Sequence, residues 1–170
     1  MTAPLDTTTN KLEPSQTIRE HIKAAEGFSA NAYKCPAGVW TIGYGSTFYI
    51  DEMLKPGQSV KAGETISEEN ADLLLKKFLA LLSDKMESVC KLNATNTTQN
   101  QFDAMLDFAY NLGIEALRKS TLLSYHLMDL HPLAQNEFKK WDKARVAGEL
   151  KALPGLTKRR AWEAKLYGTK

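Results

Sequence analysis

Apolar positions recur along most of this chain at helical spacing, and one stretch near the start breaks the pattern. After Pro14 and Ser15, the residues Ile18, Ile22 and Ala25 follow one another at near-helical intervals, and Gly27 supplies a left-handed closure. From Ala32 to Ile50 the character changes: AYKCPAGVWTIGYGSTFYI is dense in aromatic and β-branched residues and is broken by Pro36, Gly38, Gly43 and Gly45. That composition predicts a small antiparallel sheet with tight turns. Pro56-Gly57 and Gly63 mark residues 51–66 as a loop. A long helix is predicted over about 67–92, with Ser67 as its cap and Glu68 and Glu69 at its positive end. Its apolar stripe reads Ala71, Leu74, Leu75, Phe78, Leu82, Met86 and Val89. At 1.5 Å per residue such a rod is about 38 Å long, enough to join two lobes.

The remainder reads as helical. Thr98 and Gln101 fit a capping box, followed by Phe102, Met105, Ala109 and Leu112 before Gly113. Shorter helices are expected near Thr121–Leu130, Leu133–Trp141 and Thr157–Tyr167. Residues 1–14 are rich in threonine, lack periodicity and read as a flexible tail. The expected architecture is α+β and mostly α. A small antiparallel sheet lobe (28–66) and a helical lobe (93–167) are joined by the long helix around a cleft, all in one domain over 15–170. Clefts between lobes favour binding sites.

Composition narrows the class. The chain has 170 residues, 43% hydrophobic and 25% charged, which suits one domain with a real core. A net charge of +2 is too small to argue for a nucleic-acid partner. From Lys139 onward basic residues outnumber Asp142, Glu149 and Glu163, which fits either a solvated face or weak contact with an anionic envelope. The two cysteines do not form a disulfide framework, and Cys90, beside Met86 and Val89, reads as a core thiol. No apolar run approaches the roughly 18 residues needed to span a membrane. The first 25 residues lack the apolar core of a secretory signal, which predicts folding in the cytoplasm with another agent providing access to any target outside it.

Candidate chemistry is sparse. The chain has no phosphate loop, dinucleotide fingerprint, HExxH pair or GxSxG elbow, and no metal or organic cofactor is called for. His21, His126 and His131 are scattered and read as surface or packing residues. Glu26 stands at the end of the first helix, just before the sheet, with Gly27 and Phe28 following. A carboxyl at that junction is either a solvated helix terminus or a group aimed into the cleft. In the second case apolar neighbours favour the protonated form that a general acid requires.

The spacing around Glu26 carries a resemblance. Cys35 and Thr41, the latter followed directly by IGYG, stand at the intervals of the active-site pattern of phage lysozymes of glycoside hydrolase family 24. QFDAMLDFAYNLG (101–113) is similar to that family's Q-x3-L-x-x-F-A-x-N-x-G helix. Ser120-Thr121-Leu122-Leu123 resembles its STLL step and FKKW (138–141) its F-x-x-W. LPGLTKRRAWEAKLY (153–167) resembles its closing GL-x-x-RR-x-x-E-x-x-L[FY] helix, so the likeness runs from about Ile18 to Tyr167.

The resemblance implies a lysozyme-like fold and a phage endolysin: a muramidase that hydrolyses the β-1,4 bond between N-acetylmuramic acid and N-acetylglucosamine with inversion. It implies Glu26 as general acid, with Cys35 in place of the aspartate of other members and Thr41 holding the attacking water. Cys35 would act as general base or nucleophile if ionised, which a positive neighbour such as Lys34 would favour. Tyr110 and Asn111 would line the sugar cleft, with Ser46 standing where many members have histidine, and Arg159 (or Arg160) would pair with Glu26. The implied partner is peptidoglycan, met by a monomer that reaches the wall through a holin-type lesion. Two other readings remain open: a lytic transglycosylase, and a non-catalytic wall-binding protein of the same fold.

Overall fold

The structure is a computed structural model and describes residues 11–50, 57–92 and 95–169. Helix α1 (Gln16–Glu26) is capped by the Ser15 hydroxyl, which accepts from the Ile18 amide, and it ends at Gly27 with φ 72°. Two strands follow, β1 (Ser29–Lys34) and β2 (Trp40–Gly43), paired antiparallel with Tyr33 opposite Thr41 and an irregularity between Ser29 and Tyr33. Isolated bridges tie Asn31 to Thr65 and Phe48 to Ser59, so residues 57–66 lie along the sheet. At the end of β2 the chain comes so close to the next helix that a Cβ on Gly43 would fall 2.9 Å from the Ala71 Cβ.

Helix α2 (Glu68–Cys90) begins at Ser67, whose hydroxyl accepts from the Asn70 amide, and runs about 34 Å. Its buried face carries Ala71, Leu75, Leu79, Leu82, Met86 and Cys90. Val89, expected on that face, is instead exposed at the last turn of the helix, where the buried residues are Met86 and Cys90. Burial pushes the Cys90 thiol up to about 11, as suits a core thiol.

Helix α3 (Gln99–Leu112) starts with the expected capping box, Thr98 and Gln101 each bonding the other's backbone. Residues Gln101 to Ala109 are all buried, so this helix is the centre of the core. It packs against α1, α2 and the closing helix α7 (Pro154–Tyr167). Between them come α4 (Ile114–Arg118), α5 (Thr121–Leu127), α6 (His131–Glu137) and a 3₁₀ turn, Phe138–Trp141.

The region before α7 departs from the helical expectation. Strands β3 (Lys143–Val146) and β4 (Glu149–Ala152) form a second antiparallel hairpin. Its two-residue turn has positive φ at both Ala147 and Gly148, the geometry that matches strand twist. Seven of its eight strand residues are exposed, so no in–out alternation marks it in the sequence. At the other end of the chain, residues 11–14 lie along the helices. Lys11 pairs with Asp84 at 2.6 Å, and the Leu12 and Glu13 carbonyls accept from Ser83 and Gln99. The first ten residues of the tail lie outside the described residues.

His126 gives the helical lobe a pH dependence. It is 1% exposed, with Nδ1 2.7 Å from the Tyr167 hydroxyl and Nε2 2.8 Å from Thr97 Oγ1. Burial, aided by His131, lowers its pKa from 6.5 to about 4. The unfolded chain therefore binds a proton that the folded chain refuses between these values, so stability falls as the pH drops from 6.5 towards 4. The loss is expected to be on the order of 3 kcal/mol. Urea melts at pH 7 and pH 4.5 check it, since a His126→Gln variant should lose this part of the pH dependence.

Candidate active site

The end of α1 places Glu26 where α3, α7 and the turn after β2 converge. Glu26 lines a pocket of about 210 Å³ with Gly45, Ser46, Thr47, Phe48, Phe78, Tyr110 and Asn111. Ser46 closes the turn by exchanging two backbone hydrogen bonds with Ile42 (2.8 and 2.9 Å). Gly45 within that turn has φ 92°, and a Cβ there would stand 3.6 Å from Glu26 Oε2 and 3.5 Å from the Tyr110 hydroxyl. The turn therefore brings bare backbone up to the carboxyl. Phe78 meets Tyr110 edge to face at 5.5 Å and forms pocket wall rather than sealed core. The Tyr110 hydroxyl donates to the Tyr44 carbonyl at 2.8 Å, and burial together with the Glu26 charge raises its pKa.

Arg159, from the first turns of α7, reaches Glu26: its Nη1 donates to Oε1 at 2.7 Å. The same guanidinium gives Nε and Nη2 to Asp107 of α3, at 2.9 and 2.7 Å. Asp107 is fully buried. Burial opposes its charge, but the bonds and charge of Arg159 outweigh that and hold its carboxyl below the usual range. His21 stacks flat on Trp162 at 3.3 Å, with Nε2 3.8 Å from Asp107, and burial lowers its pKa.

Arg160 points the other way along the seam. It is fully buried, and its Nη2 donates to Asn111 Oδ1 at 2.9 Å and lies 2.7 Å from Glu163 Oε1. Burial, with a hydrogen bond to Asp107, raises Glu163 well above the ordinary carboxyl value. A guanidinium only donates, so the Asn111 oxygen is committed to it and the NH2 group is left over.

Cys35 and Thr41 sit on the β1–β2 hairpin, outside the lining of the Glu26 pocket. The Cys35 thiol is held below its ordinary pKa, chiefly by the Val39 amide, with those of Ala37 and Cys35 and the Thr41 hydroxyl adding to it. Such convergent N–H groups form an anion-favouring nest. The source of the shift is the turn itself. The Lys34 ammonium, named from the sequence as a possible cause, instead lies over the Trp40 ring at 5.5 Å. Thr41 is buried, and its single hydroxyl proton, when not given to the Cys35 sulfur, goes to the Val39 carbonyl at 3.1 Å.

Of the residues singled out in the sequence, Glu26, Ser46, Tyr110 and Asn111 thus share one pocket. Arg159 rather than Arg160 meets Glu26, while Cys35 and Thr41 form a separate cluster on the β1–β2 hairpin. Sequence reasoning missed Asp107, Gly45, Phe48 and Phe78. For Asp107 a signal existed: a carboxylate four residues before Asn111, on the buried face of a helix, demands a cationic partner.

The phage lysozyme family profile matches residues 23–163 of the chain. The endolysin of Acyrthosiphon pisum secondary endosymbiont phage 1 is 36% identical over 146 residues, covering 86% of this chain and 91% of that protein. The endolysin of Bacillus phage B103 is 39% identical over 150 residues, 87% of this chain, which spans about half (51%) of that longer relative. Among solved structures, the muramidase domain of SpmX from Asticaccaulis excentricus superposes with a TM-score of 0.78 at 35% identity. That match covers 93% of this chain and 99% of the domain.

Proposed function

We propose, from the premise that this chain belongs to the phage lysozyme family, that Glu26, Cys35 and Thr41 together cleave its glycan substrate. The chain is a glycoside hydrolase, an endolysin-type lysozyme that acts as a muramidase on bacterial peptidoglycan and lyses the host cell. The observation that carries the site assignment is the Glu26 carboxyl, tied through Oε1 to Arg159 with Oε2 directed at the Gly45 turn of the pocket.

Glu26 protonates the glycosidic oxygen as the bond to the leaving sugar breaks. On the other side, Cys35, ionised with the help of its turn amides, takes a proton from the attacking water, and Thr41 orients both. A water delivered opposite the leaving group gives inversion. Tyr110 supplies a flat apolar face to a pyranose ring, and the NH2 of Asn111 is available for the carbonyl of an N-acetyl group. Ser46 offers its hydroxyl at the pocket rim.

The protein acts as a monomer in this reading. Its exposed hairpin bearing Lys143, Arg145 and Lys151 makes weak contact with the anionic envelope. Among the described residues no helix is long and apolar enough to cross a membrane. Passage from the host cytoplasm to the wall through a holin-type lesion fits that chain.

Mass spectrometry of digested peptidoglycan tests the reaction. The expected products end in ordinary reducing N-acetylmuramic acid. Predominantly 1,6-anhydro ends would replace hydrolysis by transglycosylation.

A further inference from the structure

We propose that Asp107 is a positioning residue for Glu26, acting through Arg159; this rests on the reading of Glu26 as the acid. The two ends of the relay are 133 and 52 residues from Arg159 in the chain, yet they converge on one guanidinium. A guanidinium is a rigid plane with five N–H donors at fixed angles. One edge of Arg159, Nε and Nη2, is filled by the two oxygens of Asp107 in a bidentate pair, which fixes the plane in rotation as well as position. The remaining nitrogen, Nη1, then has a single direction, and Glu26 Oε1 lies on it at 2.7 Å.

Burial makes the relay strong. The Asp107 side chain is fully buried and that of Arg159 is 10% exposed, while Glu26 at 26% opens towards the pocket. Little water reaches the inner pair, so it is neither screened nor exchanged for solvent bonds. Asp107 also answers the arginine's charge with two hydrogen bonds of its own. Glu26 therefore gives only one oxygen to the guanidinium, and Oε2, beside the bare Gly45 backbone, is left for the substrate. Without Asp107 the guanidinium is free to turn and to take both oxygens of Glu26, which removes the proton donor from its aim. His21 and Glu163, which also face Asp107, cannot replace it, since neither reaches the Nε edge of Arg159 with two acceptors.

A double-mutant cycle on the full chain tests this, using Asp107→Asn, Arg159→Met and the double variant, with kcat and KM measured on peptidoglycan and melting temperature followed by circular dichroism. Asn keeps the shape but offers one acceptor, and its NH2 opposes the arginine's donors. The expected result is a loss of roughly 10²-fold in kcat for each single variant, as for a misaimed catalytic group. KM should stay within about twofold of native, and the double variant should be no worse than Arg159→Met alone. If Asp107→Asn does not fold, Asp107→Leu/Arg159→Met, which removes both buried charges, is compared with Arg159→Met, and equal kcat is again expected. Losses that multiply in the double variant, or a native kcat in a folded Asp107→Asn, overturn the proposal. Turnover retained by Glu26→Gln would instead overturn the assignment of the acid, a separate outcome.

Discussion

Glu26→Gln is expected to lose muramidase activity by roughly 10³-fold or more while keeping the fold, because general acid catalysis alone commonly supplies 10²–10⁴-fold. The amide is nearly isosteric with the carboxyl, and its oxygen still accepts the Arg159 Nη1 bond that Glu26 Oε1 accepts at 2.7 Å. Only the transferable proton is gone. The loss should therefore fall on kcat, with KM and melting temperature close to native. Clearing of permeabilised Gram-negative cells, together with release of reducing ends from purified wall, reads it directly. Native protein and variant clearing cells at the same rate would remove Glu26 from the mechanism. Lysis with no reducing ends in either protein would point to disruption of the envelope by the basic C-terminal region.

The second large effect is expected at Cys35. Cys35→Ser should lose roughly 10²-fold or more, since a serine hydroxyl does not ionise near neutral pH and cannot accept a proton from water. Cys35→Asp should keep most of the activity, because a carboxylate does the same work and benefits from the same amides of Val39 and Ala37. The pH profiles then separate. On the proposed mechanism the thiolate is the working form of the native enzyme. Its pKa is held below the ordinary thiol value, so activity rises with pH through that lowered pKa and is lost below it. In Cys35→Asp the corresponding rise moves to the carboxylate range, near 4 for a free aspartate, and activity extends into mild acid. The anomer of freshly released sugar, read by NMR, tells base from nucleophile. Inversion fits a thiolate that activates water, and retention would mean a thioglycoside intermediate. A fully active Cys35→Ser would show that the sulfur takes no part.

What was legible in the sequence follows the range of the interactions involved. The capping box of Thr98 and Gln101, the caps at Ser15 and Ser67 and the turn signals of residues 36–45 are local, so three or four neighbouring residues specify them. The hairpin at 143–152 is local too, yet it escaped. Its strands are four residues long and nearly all exposed, and alternation reveals a strand only where one face is buried. Phe78 shows the converse limit: a phenylalanine on an apolar stripe looks like core whether it meets other helices or the wall of a pocket.

By itself, the sequence determined the longer helices, the caps of the first three and the spacing of Glu26, Cys35 and Thr41, because each is set within a few turns of chain. The Lys-Arg-Arg run of α7 was equally plain, whereas Asp107 passed unnoticed within its helix. Which arginine meets Glu26, and which carboxylate clamps that arginine, only the tertiary structure decided. Arg159 and Arg160 are adjacent on a helix, where successive side chains diverge by about 100°. Their roles therefore split according to how α7 is rotated against α3. That rotation is set by the packing of the whole seam, from Asn111 and Phe108 to Trp162 and Tyr167, and no single segment encodes it.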